Sequence, residues 1–188
     1  MTTFHRIFAA LIIAATSAGL TLADDDDKGG NRDRSNGKSG RDVAAVNSDL
    51  YAKECGSCHF AYQPGLLPAR SWTKIMVSLG KHFGESADLS EPDNAAITEY
   101  LTANAAEHSA TRRSQKILDS MNSDDAPLRI TEVPYIQRKH REVPSSAFKK
   151  TGGVKSLSDC KACHTRAETG SYSEHEIKIP GLGNWEGD

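Results

Sequence analysis

Two short segments, Cys55-Gly56-Ser57-Cys58-His59 and Cys160-Lys161-Ala162-Cys163-His164, share the spacing C-x-x-C-H and together use all four cysteines of the 188-residue chain. No thiol is left over for a disulfide elsewhere. The spacing has a geometric meaning. At a helix start, two sulfurs three residues apart project to one side, and the His that follows turns its imidazole beneath whatever the sulfurs hold. This is the attachment signature of c-type haem, with thioether bonds to Cys55, Cys58, Cys160 and Cys163 and with His59 and His164 as proximal iron ligands. Zinc ribbons commonly separate their cysteine pairs by roughly 15–20 residues, whereas 101 residues lie between Cys58 and Cys160. Zinc also gives no reason for a His after each second Cys. A thioredoxin-like redox pair needs a βαβ context, which the pattern lacks.

Composition agrees with a chain that takes apolar mass from a bound group. Hydrophobic residues make up 37% and aromatic residues 6% of the sequence, thin for an ordinary core. The formal charge is −2, from 23 Lys and Arg against 25 Asp and Glu. That balance lacks the basic excess of a nucleic-acid binder.

Residues 1–23 read as an export signal. Arg6 with His5 gives a short basic region, Ile7 to Ile13 an apolar run, and Thr21-Leu22-Ala23 a small-x-small cleavage pattern. The apolar stretch, diluted by Thr, Ser and Gly, is marginal for a spanning helix of roughly 20 apolar residues. Cleavage would leave a periplasmic protein with no stable membrane insertion. Residues 24–42 form a charged, Gly-rich linker that opens with Asp24-Asp25-Asp26-Asp27-Lys28. That run resembles an enteropeptidase cleavage sequence and is equally readable as a native linker or an engineered remnant; with little apolar surface to bury, disorder is expected.

The remaining sequence reads as mainly α, in two helical halves each built around one haem, residues 43–122 and 123–188. A first helix is expected near Asn47, running through Leu50 and Tyr51 towards Cys55. Ser71 is placed as the cap of a second, in which Trp72, Ile75, Met76 and Leu79 fall on one face and His82 continues the stripe; Gly80 and Gly84 end it. Ser90, Pro92 and Asp93 make an acidic capping box for a third, with Ala96, Ile97, Tyr100 and Leu101 as its apolar side. Ala103 to Lys116 reads as an extension or a connector, and Asn122 to Pro127 as a linker. Pro134 opens a short helix through Ile136 to His140. Lys150 to Lys155 reads as a loop, Ser158 as the cap of a helix carrying Cys160, and Ile177 to Pro180 as a lone extended segment.

The ligand opposite each proximal His decides what each iron can do. His82, on an apolar stripe and beside Phe83, is the first distal candidate, and His140, one turn after Ile136, the second. Their bland alternatives are a helix-end His facing free carbonyls and one more solvated member of Arg138-Lys139-His140-Arg141. His108 reads as exposed. His175, in a charged surface run, is the main rival to His140. Met76 reads as core and Met121 as a competing ligand. Imidazole on both faces gives lower potentials than His/Met ligation and leaves no open site for oxygen or peroxide. The basic residues Arg138, Lys139, Arg141, Lys149 and Lys150 would neutralise haem carboxylates or steer an acidic redox partner.

The chain resembles the dihaem cytochrome c family of exported bacterial electron carriers. The resemblance runs from about Tyr51 to Pro180. It rests on the first motif, Trp72-Thr73-Lys74-Ile75-Met76 with Leu79 and His82-Phe83-Gly84, Arg129-Ile130-Thr131 with Pro134-Tyr135 and His140, the second motif, Ala167, Gly170 and Ile179-Pro180. It implies two haem c groups, bis-His ligation with His82 and His140 at the matching positions, and electron transfer without substrate turnover. It also implies a small oxygen-binding c-type cytochrome and a membrane cytochrome b as partners. His82 is assigned to the first haem and His140 to the second, with the crossed pairing open. A small dihaem peroxidase with one open iron is the enzymatic alternative, though such a chain would usually be longer.

Overall fold

The computed structural model describes residues 42–148 and 154–185. All of them lie in one compact unit, 38–188. The leader, residues 24–41 of the linker, and Lys149 to Gly153 lie outside the described residues. Among those described, no helix is long and apolar enough to cross a membrane.

Five α-helices follow one another: α1 Asp49–Gly56, α2 Ala69–Val77, α3 Glu91–Ala103, α4 Arg112–Asp119 and α5 Pro134–His140. Short 3₁₀ turns join them. A two-residue strand β1, Lys178–Ile179, pairs antiparallel with β2, Gly183–Asn184. The mainly helical expectation stands.

Local chemistry explains most helix ends. Ser90 accepts from the Asp93 amide, as expected of the cap, and its hydroxyl donates to the Asp93 carboxylate, a side-chain bond in place of the return bond to the Ser90 amide. Pro134 opens α5, where its missing N–H costs nothing. Other boundaries differ from expectation. The cap of α1 is Ser48, which accepts from the Tyr51 amide, while the Asn47 amide donates to the Tyr100 hydroxyl. Ser71 is no cap. It lies buried inside α2, whose first free amide, that of Ala69, is satisfied by the Glu107 carboxylate. Ala103 to Lys116 is neither one helix nor a plain connector: α3 ends at Ala103, and Thr111 caps the new helix α4 by accepting from the Ser114 amide.

The segment carrying Cys160 is a 3₁₀ turn, Cys160–Ala162, preceded by Asp159 rather than capped by Ser158. Two backbone bonds prevent a longer helix: the Cys163 carbonyl accepts from Lys178 and the His164 carbonyl from Ala167. Nor is the C-terminal extended segment alone. Gly181 and Gly183, at φ 80° and 87°, turn the chain back so that Ile179 faces Gly183.

The core is small. Trp72, Ile75, Met76 and Leu79 pack with Ile97, Leu101, Ile117, Val133, Tyr135 and Tyr172, and Cys55 and Cys160 lie against it, half-buried. Ala96, expected on the inner face of α3, is exposed; Asn94 faces inward instead and donates to the Met76 carbonyl. Backbone and side-chain bonds cross between the first and second halves of the sequence. The Val43 amide donates to the Gly170 carbonyl, and Arg113 donates to the Tyr135 hydroxyl and the Tyr172 carbonyl.

Candidate haem sites

The first motif straddles the end of α1. Cys55 is in its last turn, Ser57 ends it, and Cys58 and His59 follow on the exposed side. The His59 Nδ1 lies 2.8 Å from the Phe60 carbonyl oxygen, which fixes the ring and leaves Nε2 for another partner. His82 comes from the turn after α2. Its ring centroid stands 6.2 Å from that of His59, with the planes 23° apart. The turn is unusual: Phe83 has φ 53° and Gly84 φ 103°. A non-glycine residue in the left-handed region is strained by about 1 kcal/mol or more, and such strain gathers where a side chain must be aimed. The Arg129 guanidinium lies 3.9 Å from the Phe83 ring centroid, which secures the strained residue.

The second motif is built differently. His164 follows the 3₁₀ turn, donates its amide to the Cys160 carbonyl and pairs with Ile177 across an isolated bridge. His140 ends α5, with Nδ1 2.7 Å from the Ile136 carbonyl oxygen one turn back. The His140 and His164 centroids are 6.0 Å apart, at an interplanar angle of 72°. So each motif His stands near one of the two distal candidates, and His82 falls to the first motif and His140 to the second.

A bond of roughly 2 Å from metal to imidazole nitrogen and a ring radius of about 1.2 Å place two rings that share one metal about 6 Å apart, centroid to centroid. Both observed separations fit that figure. The His164 Nδ1 is buried and, among the described residues, has no hydrogen-bond partner. Among the described residues no three or more His, Cys, Asp or Glu converge on a cation-sized site, which is not the arrangement a zinc knuckle requires.

Burial shapes the electrostatics of both sites. Burial first, then His140 and Arg113, push His164 down to about 4. Burial, then His59 and Arg129, lower His82. Burial drives Cys55 and Cys160 up to about 11. None of the four cysteines is disulfide-bonded.

The other candidates fall elsewhere. His108 and His175 are exposed, Met76 is core, and Met121 packs partly buried against the core. Of the basic run, Lys139 lies 3.5 Å from Glu174, Arg141 3.3 Å from Glu142, and Arg138 5.5 Å from the Tyr135 ring. Lys149 and Lys150 lie outside the described residues.

Several residues near the sites escaped the sequence reading. Tyr62 packs 5.0 Å from His59, and Tyr172 packs 5.2 Å from His164. Gln63 is fully buried and bonds to Tyr172. Arg113 lies between the Tyr135 and Tyr172 rings and pairs with Asp42 at 3.2 Å. The available signal was Gln63 itself, a lone amide in the apolar stretch Phe60 to Leu67.

Residues 51–172 match the family model described as dihaem cytochrome c. The chain is similar to the solved structure of a dihaem cytochrome c from Rhodobacter sphaeroides at 44% identity and a TM-score of 0.62, over 69% of this chain and all of that one. It is similar to a dihaem c-type cytochrome from Shewanella baltica at 38% identity and a TM-score of 0.61, over 73% of this chain and 97% of that one. No curated protein matches the chain.

Proposed function

The chain belongs to the dihaem cytochrome c family and binds two haem c groups; from that premise we propose that it is a periplasmic electron-transfer protein in which both irons are held between two imidazoles. His59 and His82 hold the first, His164 and His140 the second, and the four cysteines tether the macrocycles. The observation that carries the reading is the pair of ring separations, 6.2 and 6.0 Å.

When bound, haem supplies a one-electron couple whose potential is set by its ligands and surroundings. The chain's residues do the rest. Carbonyls of Phe60 and Ile136 orient His59 and His140. Burial of His164 keeps water from its ring. Four imidazoles, two per iron, would leave no position for a substrate, and they would favour a low potential over the higher one a Met ligand would give. That is the chemistry of a carrier, not of a peroxidase. Reduced protein should therefore leave carbon monoxide unbound at both irons, as judged by its optical spectrum. Stoichiometric binding to either iron would overturn the carrier reading in favour of an enzyme with an open site.

Export accounts for the leader-like residues 1–23 and suits covalent haem attachment. In the reading implied by the resemblance, a membrane cytochrome b supplies electrons and a small oxygen-binding c-type cytochrome receives them. Arg138 is exposed near His140 and, unlike Lys139, is not held by a carboxylate among the described residues. It is the cleaner probe of charge steering. Arg138→Glu should slow electron exchange with an acidic partner about tenfold at low ionic strength and little at high salt, measured by stopped-flow. A rate unchanged at low salt removes the steering role.

A further inference from the structure

The two haem sites are joined by a continuous set of side chains that neither ligation nor thioether attachment requires. Tyr62 has its ring 5.0 Å from that of His59, and its hydroxyl donates across the molecule to the Ser158 carbonyl at 2.7 Å, two residues before Cys160. The next residue, Gln63, is fully buried. Its amide donates to the Ala167 carbonyl at 2.6 Å, three residues after His164, and its carbonyl accepts from the Tyr172 hydroxyl at 2.6 Å. The Tyr172 ring in turn lies 5.2 Å from His164. Adjacent residues 62 and 63 therefore grip the second motif on both sides, and both tyrosines rest on a proximal imidazole.

Every polar group of the network has at least one partner. Both functional ends of the Gln63 amide have a partner, and each phenol has an acceptor. A buried amide left half-bonded costs about 1–3 kcal/mol, so the arrangement has one low-energy geometry and resists small displacements. An apolar contact of similar size would stabilise the same interface without fixing its register.

We propose that Tyr62, Gln63 and Tyr172 are positioning residues that fix the second proximal imidazole relative to the first, and so set the rate of electron exchange between the two irons. The exchange is balanced within the molecule: one iron is oxidised by one electron as the other is reduced, with no proton or outside reagent consumed. The inference rests on His59 and His164 being the proximal ligands of the proposed function.

The test uses the haem-loaded protein and two variants. Tyr62→Phe keeps the ring on His59 and removes only its bond to Ser158. Gln63→Leu with Tyr172→Phe replaces both ends of the buried bond by apolar groups. Two quantities are read: the magnetic interaction between the two oxidised irons in frozen solution, and the internal exchange rate after rapid photochemical injection of one electron. The parent should give a single well-defined interaction. Both variants should broaden it and slow exchange, the double variant by about tenfold or more, while the optical spectra keep their low-spin form. A lower melting temperature with interaction and rate unchanged in Tyr62→Phe, which alters one atom, would overturn the proposal and leave the network a purely structural tie. Loss of the low-spin spectrum in the parent would instead be the failure of the ligation reading, and is seen before any variant is made.

Discussion

Replacing His82 by Ala opens one of the two irons to carbon monoxide and leaves the other closed, and His140→Ala opens the opposite iron. Each variant should bind one equivalent of the gas per protein, and each should show a mixed high-spin and low-spin optical spectrum. The expectation follows from how the four rings are held. His59 is fixed by the Phe60 carbonyl, and His164 by its amide's bond to the Cys160 carbonyl and its bridge to Ile177, so removing His82 or His140 leaves the partner oriented and the facing position vacant. The nearest chemical substitutes are badly placed: Met121 is packed against the core and His175 is exposed on a 3₁₀ turn. Both variants should fold. His82 is only half-buried on its turn, and His140 ends its helix. Binding of gas by neither variant would mean that other residues complete the coordination.

The second large effect is on stability. Gly170→Ala should lower the stability of the haem-loaded protein by about 3 kcal/mol, from two sources. At φ 79° an alanine costs roughly 1–2 kcal/mol. Its Cβ would also overlap the Val43 carbonyl, a backbone atom that cannot rotate away. Relief of the overlap pulls apart the Val43 amide and the Gly170 carbonyl, whose bond is worth about 1 kcal/mol. For a chain of this size the sum corresponds to a melting temperature lower by about 10 °C. Gly181 is the internal control. Its φ is 80°, and a Cβ there meets nothing within 4 Å. Gly181→Ala carries the backbone cost alone and should lose about 1 kcal/mol less than Gly170→Ala in a thermal melt. Equal losses would show that the overlap at Val43 is relieved without cost.

Gly170 also illustrates what the sequence could and could not reveal. Its place among the residues of the family resemblance was visible; the Val43 carbonyl packed against it was not, because that contact joins positions 127 residues apart. The same division runs through the fold. Ser90 and Pro134 mark helix starts by local chemistry, and both appear where sequence places them. Ser71 misleads, because the helix starts two residues earlier at Ala69, whose amide is satisfied by Glu107, a residue distant in sequence. Helix α4 is hidden by its composition: within Arg112–Asp119 only Ser114 and Ile117 are buried, too few for an apolar stripe to be read. The helix expected at Cys160 fails because Lys178 takes a carbonyl that the helix would need.

The candidate sites divide in the same way. The motif residues announce themselves by spacing, and His82 and His140 by position beside Phe83 and Ile136. Their pairing is a matter of tertiary structure, since His82 reaches His59 across 22 intervening residues and α2. Tyr62, Gln63, Tyr172 and Arg113 carry no motif, and only the folded chain brings them to the imidazoles.

All of this depends on imidazole occupying both faces of both irons. Low-temperature electron paramagnetic resonance of the oxidised, haem-loaded protein tests it most directly. The spectrum should account for both irons as low-spin centres with bis-imidazole signals. The 23° and 72° interplanar angles should make the two centres distinguishable, the first with nearly parallel rings and the second with nearly crossed ones. A high-spin signal amounting to one iron per molecule would contradict the account.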